Sequence, residues 1–428
     1  MARKSYIFRI SPLTSHRLPG SLPTSASSRN TGVPDHTKAA MNSLSEANTH
    51  FAVDLFQQLR KSKKDNIFYS PLSISSALAT AYSGAQGNTA LQIGKVLHFN
   101  DVTDSTRGRA STAHVEKLGN VRHQFEKFLT ELKKPTDAYE LNIANRLYGE
   151  KKFQFHQEYM DNVKKFYLAG VESADFINAA KESRKKINSW VESQTNGKIK
   201  DLFPDGSLSS TILVLVNAVY FKGKWENKFD EKNTVGEKFW LNKDTSKSVR
   251  MMKQTSSFSF TELEDMQAKI LEMPYTGKDL SMMLPLPNEV DGLQKLEDKF
   301  TAEKLIEWTS SQNMRETLVD LCLPWFQVEE SYDLKDTMKS MGMVDAFSPQ
   351  DADFSGMTGS RNLMMSKILH KSFVEVNAEG TKAAGSTGID IGFISPLVYS
   401  FHCDHSCLFF IKHNKTNSIL FLGRVSSP

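Results

Sequence analysis

Residues 374–397, VEVNAEGTKAAGSTGIDIGFISPL, begin as a strand and continue as a run of small residues. Val374 and Val376 alternate with polar residues, as in a half-buried strand. The Ala, Gly, Ser and Thr residues that follow neither fill a hydrophobic core nor favour a helix. Since strands are indicated on both sides, the chain keeps a weakly packing stretch between two parts that do pack.

Strand geometry would give this stretch two different faces, because alternate residues point to opposite sides of a sheet. One face is uncharged and becomes more apolar along its length, with Thr381, Ala383, Gly385, Thr387, Ile389, Ile391 and Phe393. The other face carries both charges, with Lys382, Ala384, Ser386, Gly388, Asp390, Gly392 and Ile394. No proline interrupts residues 377–395, so every amide can donate to a ladder. A flexible surface loop explains the small residues but not the uncharged face.

The composition favours a soluble globular chain. It has 428 residues, enough for one large domain or two ordinary ones, with 39% hydrophobic and 24% charged residues. The longest apolar run, residues 212–221, is interrupted by Asn217 and is too short to span a bilayer. We therefore expect no association with membranes.

The net charge of +4 comes from the first forty residues, which hold six Lys or Arg and one acidic residue. The rest of the chain has 47 basic and 48 acidic residues, a net charge of −1. Bulk charge thus gives no argument for binding nucleic acid. Residues 1–40 lack the apolar core of a secretory signal and resemble a mitochondrial presequence, but a disordered basic extension is favoured.

Three cysteines do not make a disulfide framework and suit a reducing compartment. Two of them belong to HCDHSC, residues 402–407, whose residue types suggest a metal site. The flanking stretches VYSF and LFFIKH indicate strands, which would turn these side chains to opposite faces. The start of a strand is therefore favoured over a metal site.

Helices are indicated early in the chain and strands late, which favours an α+β fold. Ser43 and Glu46 predict a capping box before a first helix whose buried face includes Ala52, Leu55, Phe56 and Leu59. A second helix is predicted near residues 183–196, ending at Gly197. Strands are predicted at residues 211–221, 268–275, 370–376 and 418–424.

Motifs that carry catalysis are absent from the sequence: there is no nucleophile elbow, no zinc-protease helix motif and no phosphate-binding glycine loop. The basic stretch ESRKKIN, residues 182–188, is compatible with polyanion binding, but a charged helix face is the favoured interpretation. We therefore do not expect an enzyme.

A family resemblance is carried by several motifs in a fixed order. The chain resembles the serpins, and its start MNSLSEANTHFAVDLFQQL resembles the squamous cell carcinoma antigen subgroup of the ovalbumin-type (clade B) branch. The matching stretches are NIFYSPLSISSALATAYSGAQGNTALQI (66–93), INSWVESQTNGKI (187–199), LVNAVYFKGKWENKF (215–229), DFSGMTG (353–359), ILHKSFVEVNAEGTKAA (368–384) and FLGRVSSP (421–428). The resemblance covers residues 41–428 and leaves residues 1–40 without a counterpart.

The resemblance implies a single serpin domain over residues 41–428. Its α+β fold would have a large central sheet, two smaller sheets and about nine helices. An exposed reactive-centre loop would cover about residues 378–400. In serpins a protease cuts this loop, the N-terminal part inserts as a new strand of the central sheet, and the protease remains bound as an acyl-enzyme, and the resemblance implies the same for this chain.

Individual residues take roles from the same resemblance. The scissile bond would join Ile394 to Ser395, with Phe393–Ile394 as the alternative. The hinge would comprise Gly380, Thr381, Lys382, Ala383, Ala384, Gly385, Ser386 and Thr387. Ser70, Pro71, Ser73, Asn217 and His370 match the shutter, a buried polar cluster under the central strands, and Trp225 matches the breach, where insertion starts. Without the resemblance each of these would be read as a core residue.

Four positions depart from the family pattern. Ala378 replaces an acidic residue at the top of the hinge strand, so we expect a salt bridge to be lost there. Lys382 stands where an acidic residue is common, and Trp325 where a basic one is. Pro285 falls inside a predicted strand and removes a backbone donor.

The expected function is suicide inhibition of serine or papain-like cysteine proteases. A bulky apolar residue at the scissile bond favours chymotrypsin-like, elastase-like and cathepsin-type targets. The resemblance implies no cofactor and no metal, and a monomer that can form loop–sheet polymers. It also implies a cytoplasmic location with non-classical release from the cell. The main alternative is a non-inhibitory serpin that acts as a binding or scaffold protein.

Overall fold

A computed structural model describes residues 35–102, 114–310, 313–382 and 397–428. These residues form ten α-helices, where about nine were predicted: α1 (Asp35–Leu59), α2 (Pro71–Gly84), α3 (Gly87–Val96), α4 (His114–Leu132), α5 (Gln157–Tyr167), α6 (Ala180–Gln194), α7 (Leu293–Asp298), α8 (Ala302–Thr309), α9 (Lys335–Met341) and α10 (Ser355–Thr358). None of the helices in these ranges is long and apolar enough to cross a membrane.

Sixteen strands lie in the same ranges. They are β1 (Ile67–Tyr69), β2 (Tyr139–Glu150), β3 (Gly170–Ala174), β4 (Leu213–Gly223), β5 (Trp225–Asn227), β6 (Val235–Trp240), β7 (Ser246–Leu263), β8 (Ala268–Pro274), β9 (Leu280–Pro287), β10 (Arg315–Pro324), β11 (Phe326–Asp333), β12 (Lys367–Val376), β13 (Gly380–Lys382), β14 (Val398–His402), β15 (Cys407–His413) and β16 (Ser418–Val425). The four strands predicted from apolar stretches correspond to β4, β8, β12 and β16.

The strands form an α+β fold around a five-stranded central sheet with the order β11-β12-β4-β2-β3. A nine-stranded network has the order β1-β16-β15-β9-β8-β7-β10-β14, with β6 also paired to β7. The two smaller sheets that were predicted share the long strand β7 and therefore form one continuous network of strands. A short sheet pairs β13 with β5.

The central strand β4 is buried on both faces. Leu213, Leu215 and Val219 point into the main core between the sheets. Val214, Val216 and Ala218 belong to a second cluster, which includes Ile187 and Val191 of α6. Helix α6 therefore covers part of the outer face of the central sheet, consistent with the continuous apolar run of residues 212–221.

The predicted start of the first helix is wrong. Helix α1 begins at Asp35, so Ser43 and Glu46 lie inside it and form no capping box at its start. Neither Gly nor Pro occurs between Asp35 and Leu59, and Lys38, Ala39 and Ala40 are good helix formers. The helix therefore continues upstream of Met41. The predicted buried face is confirmed, since Ala52, Leu55 and Phe56 have no exposed surface.

Pro285 does not break its strand. It lies in β9 opposite Ile270 of β8. The pairing of β9 with β15 ends at Met283. At Pro285, β9 is therefore paired with β8 on one side only. A missing backbone donor is tolerated where one side of a strand has no ladder.

Candidate functional site

The candidate site is the boundary between β4 and β12, called the seam below. These strands are parallel over nine residue pairs, from Lys367 opposite Val214 to Glu375 opposite Lys222. Beyond the seam β12 pairs antiparallel with β11, and β4 antiparallel with β2. A chain that leaves β12 and turns back would run antiparallel to both seam strands. It would then replace one parallel ladder by two antiparallel ones, which are slightly more stable per residue.

A buried pair of side chains crosses the middle of the seam. His370 of β12 lies opposite Asn217 of β4, with 2.7 Å between His370 Nδ1 and Asn217 Oδ1. The Ser70 amide donates to His370 Nε2 at 3.1 Å. Nε2 is therefore an acceptor, and Nδ1 carries the proton of a neutral ring. Complete burial of His370 lowers its pKa to about 3, which keeps the ring neutral at physiological pH.

The same network reaches helix α2. Ser70 is the N-cap of this helix and accepts from the Ser73 amide at 3.2 Å, while Pro71 occupies the first turn. Asn217 Nδ2 donates to Ser73 Oγ at 2.7 Å. All five residues predicted for the shutter therefore lie together under the seam. A new strand can enter only if the bond between His370 and Asn217 exchanges its partners.

Trp225 lies at the end of the seam that is nearest to the hinge. It is 1% exposed and stacks on Tyr275, with ring centroids 4.5 Å apart. Its indole Nε1 donates to the carbonyl of Asn377 at 2.8 Å, just after β12 ends. Trp225 thus ties the chain that leaves β12 to the chain that leaves β4, and its role in the breach stays a prediction.

The hinge residues divide into two groups. Gly380, Thr381 and Lys382 form β13, which runs parallel to β5. The remaining predicted hinge and scissile-bond residues lie outside the described residues: Ala383, Ala384, Gly385, Ser386, Thr387, Phe393, Ile394 and Ser395. On the far side, β14 begins at Val398 and pairs parallel with β10. The stretch 383–396 therefore connects two strands that belong to different sheets.

Sequence reasoning missed two contacts at the hinge end of the seam. The Lys222 ammonium lies 3.3 Å from a Glu379 carboxylate oxygen, and the Tyr220 hydroxyl donates to Glu375. The partners are more than 150 residues apart in the chain, and no sequence pattern connects them. Ala378 itself is partly buried against the main core, and its carbonyl accepts from the Phe229 amide at 3.0 Å. An ion pair therefore exists one residue after the position where a salt bridge was expected to be lost.

The stretch HCDHSC lies at the turn between β14 and β15. The sulfur atoms of Cys403 and Cys407 are 3.3 Å apart, and both side chains are buried. His405 places Nδ1 2.8 Å from Asp404 and Nε2 2.7 Å from the Pro287 carbonyl. Nowhere in the described ranges does a group of three or more His, Cys, Asp or Glu side chains have an arrangement that could hold a metal ion.

Comparison with known proteins identifies the family. A protein-family model described as Serpin (serine protease inhibitor) matches residues 46–428. Human Serpin B3, a squamous cell carcinoma antigen, is 65% identical over 392 residues, which cover 91% of this chain and all of the relative. Leukocyte elastase inhibitor A of Mus musculus is 46% identical over 395 residues, again 91% of this chain and all of the relative.

A solved structure of uncleaved ovalbumin has the same fold. It superposes with a TM-score of 0.81 at 38% sequence identity, and the match covers 90% of this chain and all of that chain. The profile, the relatives and the fold agree with the motifs quoted from the sequence. This chain belongs to the serpin family, in its ovalbumin-type clade B branch.

Proposed function

We propose that this chain inhibits proteases as a suicide substrate that inserts its own cut loop into the central sheet. The parallel seam between β4 and β12 is the observation that carries the proposal. The chain leaves the top of β12, and residues 383–396 lead to β14 in another sheet. A cut in this stretch frees its N-terminal part to turn back and run antiparallel to both seam strands.

The reaction on the protease is an interrupted hydrolysis. The catalytic serine or cysteine of the protease attacks the carbonyl carbon of Ile394, and its Oγ or Sγ forms an ester or thioester with that residue. The peptide bond to Ser395 breaks, and the Ser395 nitrogen takes up a proton as the new amino terminus. Insertion then carries the acyl-enzyme along the central sheet before water can release the protease.

An apolar target specificity follows from the residue at the scissile bond. Ile394, or Phe393 in the alternative register, suits hydrophobic pockets of chymotrypsin-like, elastase-like and cathepsin-type proteases. The mouse relative named leukocyte elastase inhibitor A supports an elastase-type target. Clade membership supports a monomer able to form loop–sheet polymers, which acts in the cytoplasm and also outside the cell by non-classical release.

The test mixes the full chain with chymotrypsin, neutrophil elastase, cathepsin G and cathepsins L and S. The expected result is loss of protease activity, with an SDS-resistant complex for a serine protease and a cut between Ile394 and Ser395 by mass spectrometry. Two arginine variants determine which peptide bond the protease cuts. Ile394→Arg should redirect inhibition to trypsin, whereas Phe393→Arg should not.

Redirection by Phe393→Arg alone would move the scissile bond to Phe393–Ile394 and leave the mechanism in place. Clean cutting of the loop with full protease activity would contradict the mechanism itself.

The second candidate function is that of a binding or scaffold protein that does not trap proteases. The observation that favours it is the pairing of β13 with β5, which holds the first hinge residues away from the seam. If residues 380–382 stay paired with β5 after the cut, a protease cleaves the chain as a substrate and is not trapped. Clean cutting without inhibition would make this candidate the leading one.

A further inference from the structure

The uncleaved chain holds its hinge against β5. Gly380 and Lys382 lie opposite Trp225 and Asn227 in the parallel pair β13–β5. Just before this pair, the Trp225 amide donates to the Glu379 carbonyl at 2.9 Å. β5 follows β4 directly, so β13 continues alongside it in the same direction as β12 beside β4. Because an inserting chain must turn back at this point, residues 380–382 have to leave β5 first.

Thr276 adds a side-chain contact to this pairing. It begins the one-turn 3₁₀-helix Thr276–Lys278, and its hydroxyl is hydrogen-bonded to the Thr381 hydroxyl. The Thr276 oxygen also lies 3.1 Å from the Lys224 carbonyl and 3.3 Å from the Trp225 carbonyl. Either threonine can be the donor in the bond between the two hydroxyls, and the carbonyls of Lys224 and Trp225 are further acceptors within reach of the Thr276 proton. Its own amide donates to the Lys224 carbonyl at 2.8 Å, which fixes its position.

Gly380 fits so closely on β5 that no larger residue could take its place. A Cβ atom at this position would lie 2.5 Å from Lys228 Cα and 2.6 Å from the Trp225 carbonyl oxygen. Both are backbone atoms, which cannot turn aside as the end of a side chain can. The hinge and β5 are therefore in direct backbone contact at Gly380, and this contact is independent of the contact between the two threonines.

We propose that Thr276 is a positioning residue that latches the hinge onto β5 and slows the entry of the cut loop into the seam. The latch consists of the Thr276–Thr381 bond together with the pairing of residues 380–382 with β5. This proposal rests on the insertion mechanism proposed above. During inhibition, insertion competes with hydrolysis of the acyl-enzyme. A slower release of the hinge therefore raises the number of chains that are cut for each protease trapped.

The test compares the full chain with its variants Thr276→Val and Thr276→Ser. Valine keeps the shape of threonine without the hydroxyl, and serine keeps the hydroxyl. One measurement is amide hydrogen exchange of residues 379–382 in the uncleaved chain. The other is the number of chains consumed for each inactivated protease molecule. One lost hydrogen bond corresponds to about a fivefold change in an equilibrium or rate.

For Thr276→Val we expect the amide exchange of residues 379–382 to rise about fivefold and fewer chains to be consumed for each protease. For Thr276→Ser we expect both values to stay near those of the original chain. Gly380→Ala should also raise exchange, because its Cβ is excluded from β5. Unchanged exchange in Thr276→Val would overturn the latch. Faster exchange with unchanged consumption would overturn its control of insertion. If the original chain and both variants inhibit no protease at all, the proposed function fails, and exchange alone decides the latch.

Discussion

At the scale of single residues, His370 makes the stability of the fold depend on pH. Burial lowers its pKa from 6.5 to about 3 in the folded chain. Between these two pH values the unfolded chain binds a proton that the folded chain does not. The contribution of His370 to the free energy of unfolding is therefore fully present above pH 6.5 and decreases as the pH falls towards 3.

His370→Gln removes this titration, and the prediction is a difference between two unfolding experiments. At pH 7.5 the variant should be less stable by about 1–3 kcal/mol, because the buried partners Ser70 and Asn217 lose a hydrogen bond. At pH 5.0 the difference in free energy of unfolding between the two chains should be smaller by about 2 kcal/mol. The reason is that only the original chain has a histidine that is protonated in the unfolded state and neutral in the folded state. The measurement is urea unfolding of both chains at the two pH values.

The matched control is His123→Gln, which alters an exposed histidine of α4. The gap between this variant and the original chain shows how much of any change comes from replacing an exposed imidazole by an amide. A constant gap between His370→Gln and the original chain would contradict the assignment of a neutral, buried ring at the seam.

At the scale of secondary-structure elements, the two faces of the loop give a matched pair of variants. Ala383 belongs to the uncharged face and Ala384 to the face that carries Lys382 and Asp390. In the inserted strand, Ala383→Arg would bury a charge in the main core, whereas Ala384→Arg could extend its side chain towards solvent. We expect Ala383→Arg to be cut as a substrate without trapping the protease. Ala384→Arg should trap it at nearly the original stoichiometry.

For both variants, titration against one serine protease measures how many chains are consumed for each protease molecule inactivated. Equal loss of trapping in both variants would mean that the loop does not alternate between two environments. Trapping by Ala383→Arg alone would mean that the two faces are assigned the wrong way round.

The elements also show where sequence reasoning succeeds and where it stops. β4 could be predicted because LVLV, residues 213–216, is a short apolar run rich in Val. β12 could be predicted because Val374 and Val376 alternate with polar residues. The start of α1 could not be predicted, because a local capping signal at Ser43 cannot outweigh good helix formers upstream. Nor does any local pattern show that α6 covers the outer face of β4.

The candidate site follows the same division. Motif resemblance placed Ser70, Asn217 and His370 together, and the structure brings them into one hydrogen-bonded network. The contacts of Thr276 with Thr381 and of Lys222 with Glu379 join residues 105 and 157 positions apart. Single side-chain contacts of this kind depend on how the chain is folded as a whole, and they leave no periodic signal in the sequence.

At the scale of the whole molecule, the uncleaved chain should be the less stable of two folded states. The central sheet has five strands and a parallel seam at its centre. Insertion of the cut loop would add a sixth strand with two antiparallel ladders and would bury the apolar residues Ile389, Ile391 and Phe393. Each added hydrogen bond contributes about 1 kcal/mol net. The gain belongs to the sheet as a unit, because the new strand needs both β4 and β12.

Cutting the loop should therefore raise the unfolding temperature by about 10 °C or more, which for a chain of this size corresponds to roughly 8 kcal/mol. The measurement is a thermal scan of the cut and uncut chains at one scan rate, after cutting by a protease that is not trapped. Ala383→Arg is the control: its cut form should gain little, because the charge on the inner face opposes insertion. A cut original chain that melts at the temperature of the uncut chain would show that the seam stays closed. The fold would then serve binding rather than the trapping of proteases.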